Sequence, residues 1–299
     1  MEKIKRFDTV RQYNENEHAE TFHPLVSIVK FNELPKVVKL KAYFGIYAVF
    51  LKLTKCGTIT YGCQPNDYED GTLVFVGPGQ VYSVDGGEEL ISSKGFALVF
   101  HPDFIKGTSL SRAIKEYTYF SYQSNEALHL SEEERNSVAD VIKKIQVEIE
   151  QNIDHHTKKL IVSNIELLLN YCMRYYDRQF ITRSVANQGI LLKFENLLTE
   201  YLGSEKNQVV GLPTVAWCAG QLHLSANYFG DLIKKETGIT ALEYIQYKVI
   251  DEAKSRIIDH QKSIYEISQE LGFKYQQHFT RLFKLKTGIS PVEFRNLNW

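Results

Sequence analysis

The sequence has no long apolar segment and no pair of cysteines spaced for a metal or redox site. No apolar run reaches the ~20 residues that span a bilayer, and the charged residues 1–8 are not followed by the apolar core of a secretory signal. The four cysteines, Cys56, Cys63, Cys172 and Cys218, include no CxxC pair. We therefore expect a cytoplasmic protein with free thiols, no cofactor and no membrane partner.

The chain also has little excess of charge. It holds 35 Lys and Arg against 36 Asp and Glu, a net charge of −1 at pH 7, whereas many nucleic-acid binders are strongly basic. Its 299 residues suggest two domains. Residues 274–295 are a local exception, because Glu293 is their one acid beside five basic residues, namely Lys274, Arg281, Lys284, Lys286 and Arg295. This segment predicts a positive face sufficient for a few phosphate contacts and a modest salt dependence.

Residues 275–295 follow an amphipathic pattern with a glycine stop and a proline restart. Phe279, Leu282 and Phe283 recur at helical spacing and predict a buried side. The opposite side carries Gln276, Gln277, Thr280, Arg281 and Lys284. Gln and Arg side chains can each form two hydrogen bonds with a purine edge in the major groove, and Lys can pair with phosphate. The segment suits a DNA-reading helix, although a polar surface helix has the same pattern.

The pattern occurs a second time, fifty residues upstream. Residues 264–271 predict a short helix before the turn at Gly272 and Phe273, which completes a helix-turn-helix layout. Seven positions are identical at this offset: Phe229/Phe279, Leu232/Leu282, Lys234/Lys284, Thr237/Thr287, Gly238/Gly288, Ile239/Ile289 and Glu243/Glu293. The repeat predicts two copies of one helix-turn-helix unit, and the turn of the first copy is one residue shorter.

These residues resemble the DNA-binding domain of the AraC/XylS family of bacterial transcription factors. The family signature of the second unit is similar to Gly272-Phe273, Phe279, Arg281, Phe283-Lys284, Gly288, Pro291 and Phe294-Arg295. The resemblance implies two helix-turn-helix units joined by a long helix, here residues 241–258. It places Gln276, Gln277 and Arg281 where family members touch bases.

The first unit departs from the family pattern. Gly230 and Asp231 stand where a long polar or basic pair is common, and an Asp can accept from a cytosine amine or repel phosphate. Ser225 is the predicted N-cap of the recognition helix that ends at Gly238. The candidate DNA-binding residues are Ser225, Asn227, Tyr228, Asp231 and Lys234 in the first unit and Tyr275, Gln276, Gln277, Thr280, Arg281 and Lys284 in the second.

The N-terminal half has a different pattern. Residues 1–20 are polar without periodicity and predict a flexible arm. Residues 23–100 hold short β-branched and aromatic runs separated by Gly, Pro and Asp, which predicts an antiparallel roll or barrel. Residues 71–80 resemble the cupin-type sensor half of the same family. Tyr61 and Tyr82 are the candidate ligand-binding residues, because a buried hydroxyl needs a partner.

The metal site of cupin enzymes has no counterpart in the sequence. Residues 57–67, where a His-x-His pair is expected, contain no histidine, and His101 stands alone at the end of a strand pattern. A catalytic metal needs about three protein ligands. We therefore assign no metal ligand and no catalytic residue.

Two long helices follow the strand region. Ser131 and Glu134 form a capping box that opens a helix to Gln151, and Asp154 is the predicted cap of a second helix that ends near Tyr176. In relatives the corresponding helices form the dimer contact; the alternative is a hairpin that packs on its own barrel. Residues 178–187 predict a polar link between domains.

The resulting prediction is an α+β chain in three segments. These are a flexible arm (1–20), a cupin-like sensor and dimerisation domain with a helical hairpin (21–180), and an all-α DNA-binding domain (190–299). The predicted function is a sequence-specific transcription regulator, an effector-responsive activator and not an enzyme. Its expected partners are double-stranded DNA, a small-molecule effector, a second copy of the chain and RNA polymerase. The alternatives are a cupin-type enzyme fused to a nucleic-acid-binding module and an interaction protein whose barrel binds no ligand.

Overall fold

The computed structural model describes residues 4–31, 39–53, 71–85, 95–123, 126–204, 206–258 and 261–297. The chain divides into two compact units, Met1–Thr182 and Arg183–Trp299, called here the N-terminal and C-terminal regions. The structure confirms a mixed α+β chain with a helical C-terminal region.

The N-terminal region contains two sheets. One has the strand order β1-β3-β6, with β1 (Lys5–Phe7), β3 (Lys39–Phe44) and β6 (Gln80–Asp85). The other has the order β2-β7-β4-β5-β8, with β2 (Val26–Lys30), β4 (Tyr47–Lys52), β5 (Thr72–Val76), β7 (Gly95–Phe100) and β8 (Leu128–His129). β1 pairs with β3 in parallel, whereas the other pairs are antiparallel. In the described ranges the strands therefore form two sheets that are antiparallel except for the added strand β1, and closure into a barrel remains a prediction.

The alternation of side chains along each strand builds the core of this region. In β4, Ala48 and Phe50 belong to the main apolar cluster, and the antiparallel register pairs Phe50 with Ala97 of β7. Aromatic rings fill much of the cluster, with Phe44 and Phe50 in an edge contact at 5.9 Å and Tyr82 stacked on Phe50 at 5.5 Å. Tyr82, one of the two candidate ligand-binding residues, is thus packed by its ring against this aromatic cluster.

Residues 4–20 contain a strand and a helix, whereas the sequence predicted a flexible arm over residues 1–20. β1 adds an edge strand to the first sheet, and α1 (Val10–Asn16) follows it. Phe7, Val10 and Tyr13 are buried in the apolar cluster. The sequence signal that was overlooked is a capping box, in which Thr9 accepts from the Gln12 backbone and the Gln12 side chain accepts from the Thr9 N–H.

Short helices lead from the strands to a helical hairpin. α2 (Pro102–Ile105) and α3 (Ser109–Ala113) precede two 3₁₀ turns, Ile114–Glu116 and Thr118–Ser121. The hairpin consists of α4 (Glu132–Glu150) and α5 (Thr157–Thr182), which pack against each other. The predicted caps are confirmed: Ser131 and Glu134 form the capping box, and Asp154 accepts from the backbone of His156 and Thr157.

The predicted link at residues 178–187 is mostly helical, which is a second correction. α5 continues to Thr182, and α6 begins at Ser184 after a turn at Arg183. Gln179 is buried, accepts from the His129 N–H and donates to the Ala127 carbonyl. These two long-range hydrogen bonds stabilise the helical conformation at Gln179. They explain why α5 continues through a segment whose polar composition suggested a link.

The C-terminal region is helical throughout its described part. Its elements are α6 (Ser184–Gly203), α7 (Lys206–Val210), α8 (Val215–Gln221), α9 (Ala226–Thr237), α10 (Ala241–Ile258), α11 (Ile264–Glu270), α12 (Gln276–Thr287) and α13 (Pro291–Leu297). The bounds of α10 match the predicted long helix, whereas α7 was not predicted. Among the helices of the described ranges, none has the length and apolar character needed to cross a bilayer.

Candidate nucleic-acid interface

The second helix-turn-helix is formed by α11 and α12. Ser263 caps α11 through a capping box with Glu266, and α11 ends in a turn at Gly272. α12 buries Phe279 and Phe283 completely, as their spacing predicted, whereas Leu282, the third residue of the predicted buried side, is half-buried. Its opposite side is therefore directed away from the core.

The predicted reading residues of this unit lie on or beside the exposed side of α12. Gln277, Arg281 and Lys284 are exposed, while Gln276 and Thr280 are half-buried. Tyr275 occupies the N-cap position and is 54% exposed. His278 is also exposed, with its ring against Tyr275 at 5.4 Å, and was not among the candidates. Its position between Gln277 and Thr280 was the signal that could have identified it.

The first helix-turn-helix is formed by α8 and α9. Ser225 caps α9 by accepting from the Tyr228 N–H at 3.2 Å, as predicted. Asn227 and Lys234 are exposed and Asp231 is half-buried. The Tyr228 side chain is only 5% exposed, which corrects its assignment to the reading surface. Tyr228 is one turn before the fully buried Leu232, so both lie on the core-facing stripe of the helix.

The two recognition helices end in the same way, so the internal repeat is confirmed at the level of local geometry. Gly238 and Gly288 adopt left-handed conformations with φ of 77° and 85°, and each N–H donates to a lysine carbonyl four residues earlier at 2.9 Å. The hydroxyls of Thr237 and Thr287 each donate to two backbone carbonyls. The identical Thr-Gly pairs therefore form the same hydrogen bonds at the ends of α9 and α12.

The turns before the recognition helices differ. His223 is left-handed with φ of 57° in the first unit, whereas Gly272 has φ of 89° in the second. A Cβ atom at Gly272 would lie 2.7 Å from the Asn207 oxygen and 2.8 Å from the Gly211 carbonyl carbon. The second turn therefore requires glycine for its conformation and for the close approach of neighbouring backbone.

Not all of the basic residues in segment 274–295 are available to phosphate. The Lys286 ammonium lies over the Tyr247 ring, 4.2 Å from its centroid. Arg295 donates to the Ile257 and Lys262 carbonyls. Lys274, Arg281 and Lys284 are exposed, and the Lys274 ammonium lies farther from its neighbouring ring, 5.6 Å from the Tyr275 centroid. Three of the five cations that the sequence counts are thus exposed on the predicted positive face.

The acidic residues that follow each recognition helix are held at helix caps. Hydrogen bonds from the Thr240 side chain and backbone lower the pKa of Glu243. The Ser290 backbone and side chain lower the pKa of Glu293 in the same way, and the Ser290 N–H lies 2.7 Å from its carboxylate. Both carboxylates thus stay ionised while they cap the helices that begin at Ala241 and Pro291.

The candidate ligand residues are only partly described. Tyr61 lies outside the described residues. Tyr82 lines a groove of about 380 Å³ together with Gln80 and Tyr122. His101 caps α2 by accepting from the Asp103 N–H at 3.1 Å. Within the ranges that the structure covers, no group of three His, Cys, Asp or Glu side chains could hold a metal ion.

The paired helix-turn-helix units define a DNA-binding class of protein, and comparisons agree with this class. A helix-turn-helix domain family matches residues 218–297. The chain is 32% identical over 148 residues to the uncharacterized helix-turn-helix regulator YfiF of Bacillus subtilis, a match that spans 48% of this chain and 43% of YfiF. It is 24% identical to the probable transcriptional regulator LumQ of Photobacterium leiognathi, over 76% of this chain and 83% of LumQ.

A third match spans most of the length of the relative. The TetD protein of transposon Tn10 from Escherichia coli is 33% identical to 42% of this chain, and the match spans 82% of TetD. The chain belongs to the AraC family of helix-turn-helix transcriptional regulators. The match to YfiF, in contrast, spans less than half of that protein's length.

Proposed function

We propose that the chain is a sequence-specific transcription regulator that reads two successive major-groove segments and activates transcription in response to a small molecule. Family membership supports the regulatory class. The observation that supports double reading is the pair of recognition helices, α9 and α12, which end in identical caps. In this proposal residues 190–299 bind DNA, and residues 21–180 sense the effector and dimerise.

The dimensions of α10 support reading of neighbouring grooves. Its 18 residues span about 27 Å at ~1.5 Å per residue. Successive major-groove segments on one face of B-DNA are about 34 Å apart. α9 precedes α10 and α12 follows it, so the width of these helices supplies the remaining distance.

The side chains of α12 support base readout by the second unit. Gln276, Gln277 and Arg281 have the hydrogen-bonding groups that recognise purine edges, and Lys284 suits a phosphate. Asn227 and Lys234 of α9 are the corresponding candidates in the first unit. The first unit thus offers fewer groups for base recognition, and we expect it to contribute less specificity.

Selection of bound sites from random duplex DNA by the full chain, at near-physiological salt, tests this function. We expect enrichment of two short boxes about one helical turn apart. Recovery of one box would show that the first unit does not read bases. Binding without enrichment that weakens uniformly with salt would contradict sequence-specific recognition.

The exposed apolar side chains of α5 support a homodimer. Leu160 and Leu167 are 45% and 40% exposed, and their i, i+7 spacing puts them on one face of the helix. Sedimentation of wild type and of a Leu160→Glu, Leu167→Glu variant tests this contact. A wild-type monomer, or a variant dimer of unchanged stability, would contradict it.

The groove beside Tyr82 supports an effector site in the N-terminal region. Gln80, Tyr82 and Tyr122 line the groove with amide and hydroxyl groups beside aromatic surface, a combination that suits small polar molecules. The Gln80 amide oxygen also accepts from the Gly77 N–H at 2.8 Å. A panel of such molecules is tested for thermal stabilisation, which follows RT ln(1+[L]/Kd). Tyr82→Phe is the matched variant, because it keeps the stacked ring and removes the hydroxyl. The proposed activator role also implies a contact with RNA polymerase. The names of the relatives describe transcriptional regulators and do not favour the alternative of a cupin-type enzyme.

A further inference from the structure

The C-terminal end of α10 is held by two arginines that join several helices. Arg256, on the last turns of α10, donates to the Leu202 carbonyl of α6 at 2.7 Å and to Glu252 of its own helix at 2.8 Å. Its guanidinium also lies 3.5 Å from the Glu270 carboxylate of α11. The Arg256 side chain therefore connects three helices: α6, which precedes the first helix-turn-helix, the linker helix α10, and α11, the first helix of the second helix-turn-helix.

Arg295 joins the end of α10 to the segment that precedes α11. It lies on α13 and donates through Nε to the Ile257 carbonyl at 3.1 Å and through Nη2 to the Lys262 carbonyl at 2.8 Å. Ile257 is within the last turn of α10, where carbonyls have no partner inside the helix. Lys262 directly precedes the cap of α11. The guanidinium thus fixes the end of the linker helix to the start of the second unit.

These bonds differ in kind from the apolar contacts at the same place. Ala253 and Ile257 are fully buried, and the hydrophobic effect that favours their burial is itself non-directional. Hydrogen bonds to a planar guanidinium have fixed directions, and those that involve a charge are the stronger ones. A cation at a helix C-terminus is also favoured by the helix dipole.

We propose that Arg256 and Arg295 are positioning residues that fix the orientation of α12 relative to α9 and thereby set the number of base pairs between the two boxes. This inference rests on the proposed function, because it requires that both units read DNA. Neither arginine needs to touch DNA in this role. Their effect is on the geometry of the pair of readers and not on the affinity of either reader for its own box.

The test measures spacing selectivity on a series of duplexes. Each duplex carries the two selected boxes at the selected spacing or with one base pair inserted or removed. One base pair moves the second box by about 3.4 Å and rotates it by about 35°. We expect wild type to bind the shifted duplexes about tenfold more weakly or worse, since a rigid pair of readers loses contacts at one box.

The variants are Arg295→Met and Arg256→Met, with Lys254→Met as the matched control. Lys254 also lies on α10, but its ion pair, with Asp251, stays within the helix. We expect the spacing ratio to fall at least about threefold in both arginine variants and to stay at the wild-type value in the control. The ratio compares two dissociation constants from one preparation, so a partly inactive sample does not change it.

Arg295→Lys provides a second variant for the case in which Arg295→Met folds poorly. A lysine keeps the positive charge but lacks the fork that reaches two carbonyls, so its spacing ratio should also fall. Wild-type ratios in all of the arginine variants would overturn the positioning role and leave the proposed function intact. Two-box binding by wild type without a spacing preference would overturn the positioning role alone, and absence of any two-box binding would overturn both.

Discussion

Replacement of Gly272 by alanine tests the structure of the second helix-turn-helix. Two costs add at this position. The left-handed backbone, with φ of 89°, costs a residue with a Cβ about 1–2 kcal/mol. The new Cβ would lie 2.7 and 2.8 Å from backbone atoms of Asn207 and Gly211, and over-packing of this kind costs about 1–3 kcal/mol more. We expect Gly272→Ala to lower the free energy of unfolding by about 2–5 kcal/mol.

Gly288→Ala is the matched control. Gly288 has nearly the same φ, 85°, but a Cβ there would meet nothing within 4 Å. Its expected loss is therefore the backbone part alone, about 1–2 kcal/mol. The difference between the two variants isolates the contact between the turn and the backbone of Asn207 and Gly211.

The assay is urea unfolding followed by tryptophan fluorescence. Both tryptophans, Trp217 and Trp299, belong to the C-terminal region, so the signal reports that region in the full chain. Linear extrapolation gives the free energy of unfolding of each variant. Equal losses for Gly272→Ala and Gly288→Ala would refute the close approach of backbone at the turn and leave the left-handed conformation as the one reason for glycine at position 272.

Three further predictions concern DNA reading, pH and the N-terminus. Arg281→Ala should weaken binding to the best site by about 1–3 kcal/mol and relax one base preference; an unchanged preference in site selection would contradict its role. The pKa values of Glu243, Glu266 and Glu293 are lowered by cap hydrogen bonds, so their stabilisation is complete above the ordinary value of 4.5 and is lost as pH falls through the lower folded values. The urea midpoints of wild type and of the triple Glu→Gln variant should therefore converge in acid, and a constant difference down to pH 3 would refute this. Tyr13→Ala should lower the stability of the N-terminal region by about 3–5 kcal/mol, as seen by calorimetry, whereas a flexible arm would show no change.

The parts of the fold that the sequence predicted correctly depend on local interactions. Ser131, Ser225 and the two glycines at 238 and 288 each act within one helix end, so a few neighbouring residues contain the whole signal. The bounds of α10 follow for the same reason, because a glycine stop and a cap precede it. The paired recognition helices could thus be recognised before any contact was known.

The parts that were predicted wrongly depend on distant partners. Phe7 and Tyr13 pack against Phe44, and nothing in the polar composition of residues 1–20 indicates this contact. Tyr228 was one of the candidate DNA contacts, whereas its side chain is buried by the packing of α9. The overlooked capping box of α1 was the one local signal available in the first twenty residues.

Distant partners also determine how many cations of residues 274–295 can face phosphate, and Arg295 is the example. Sequence treats it and Lys286 as two of five cations that could face phosphate, but one bonds to carbonyls and the other lies on a tyrosine ring. With three exposed cations the salt slope of binding to the second box should be about −2.7 in log–log units, whereas five would give about −4.5. Lys284→Met should reduce that slope by about 0.9 and Arg295→Met should leave it unchanged on single-box DNA. Equal reductions in the two variants would return Arg295 to the DNA surface, because only a residue near phosphate releases counterions when it binds.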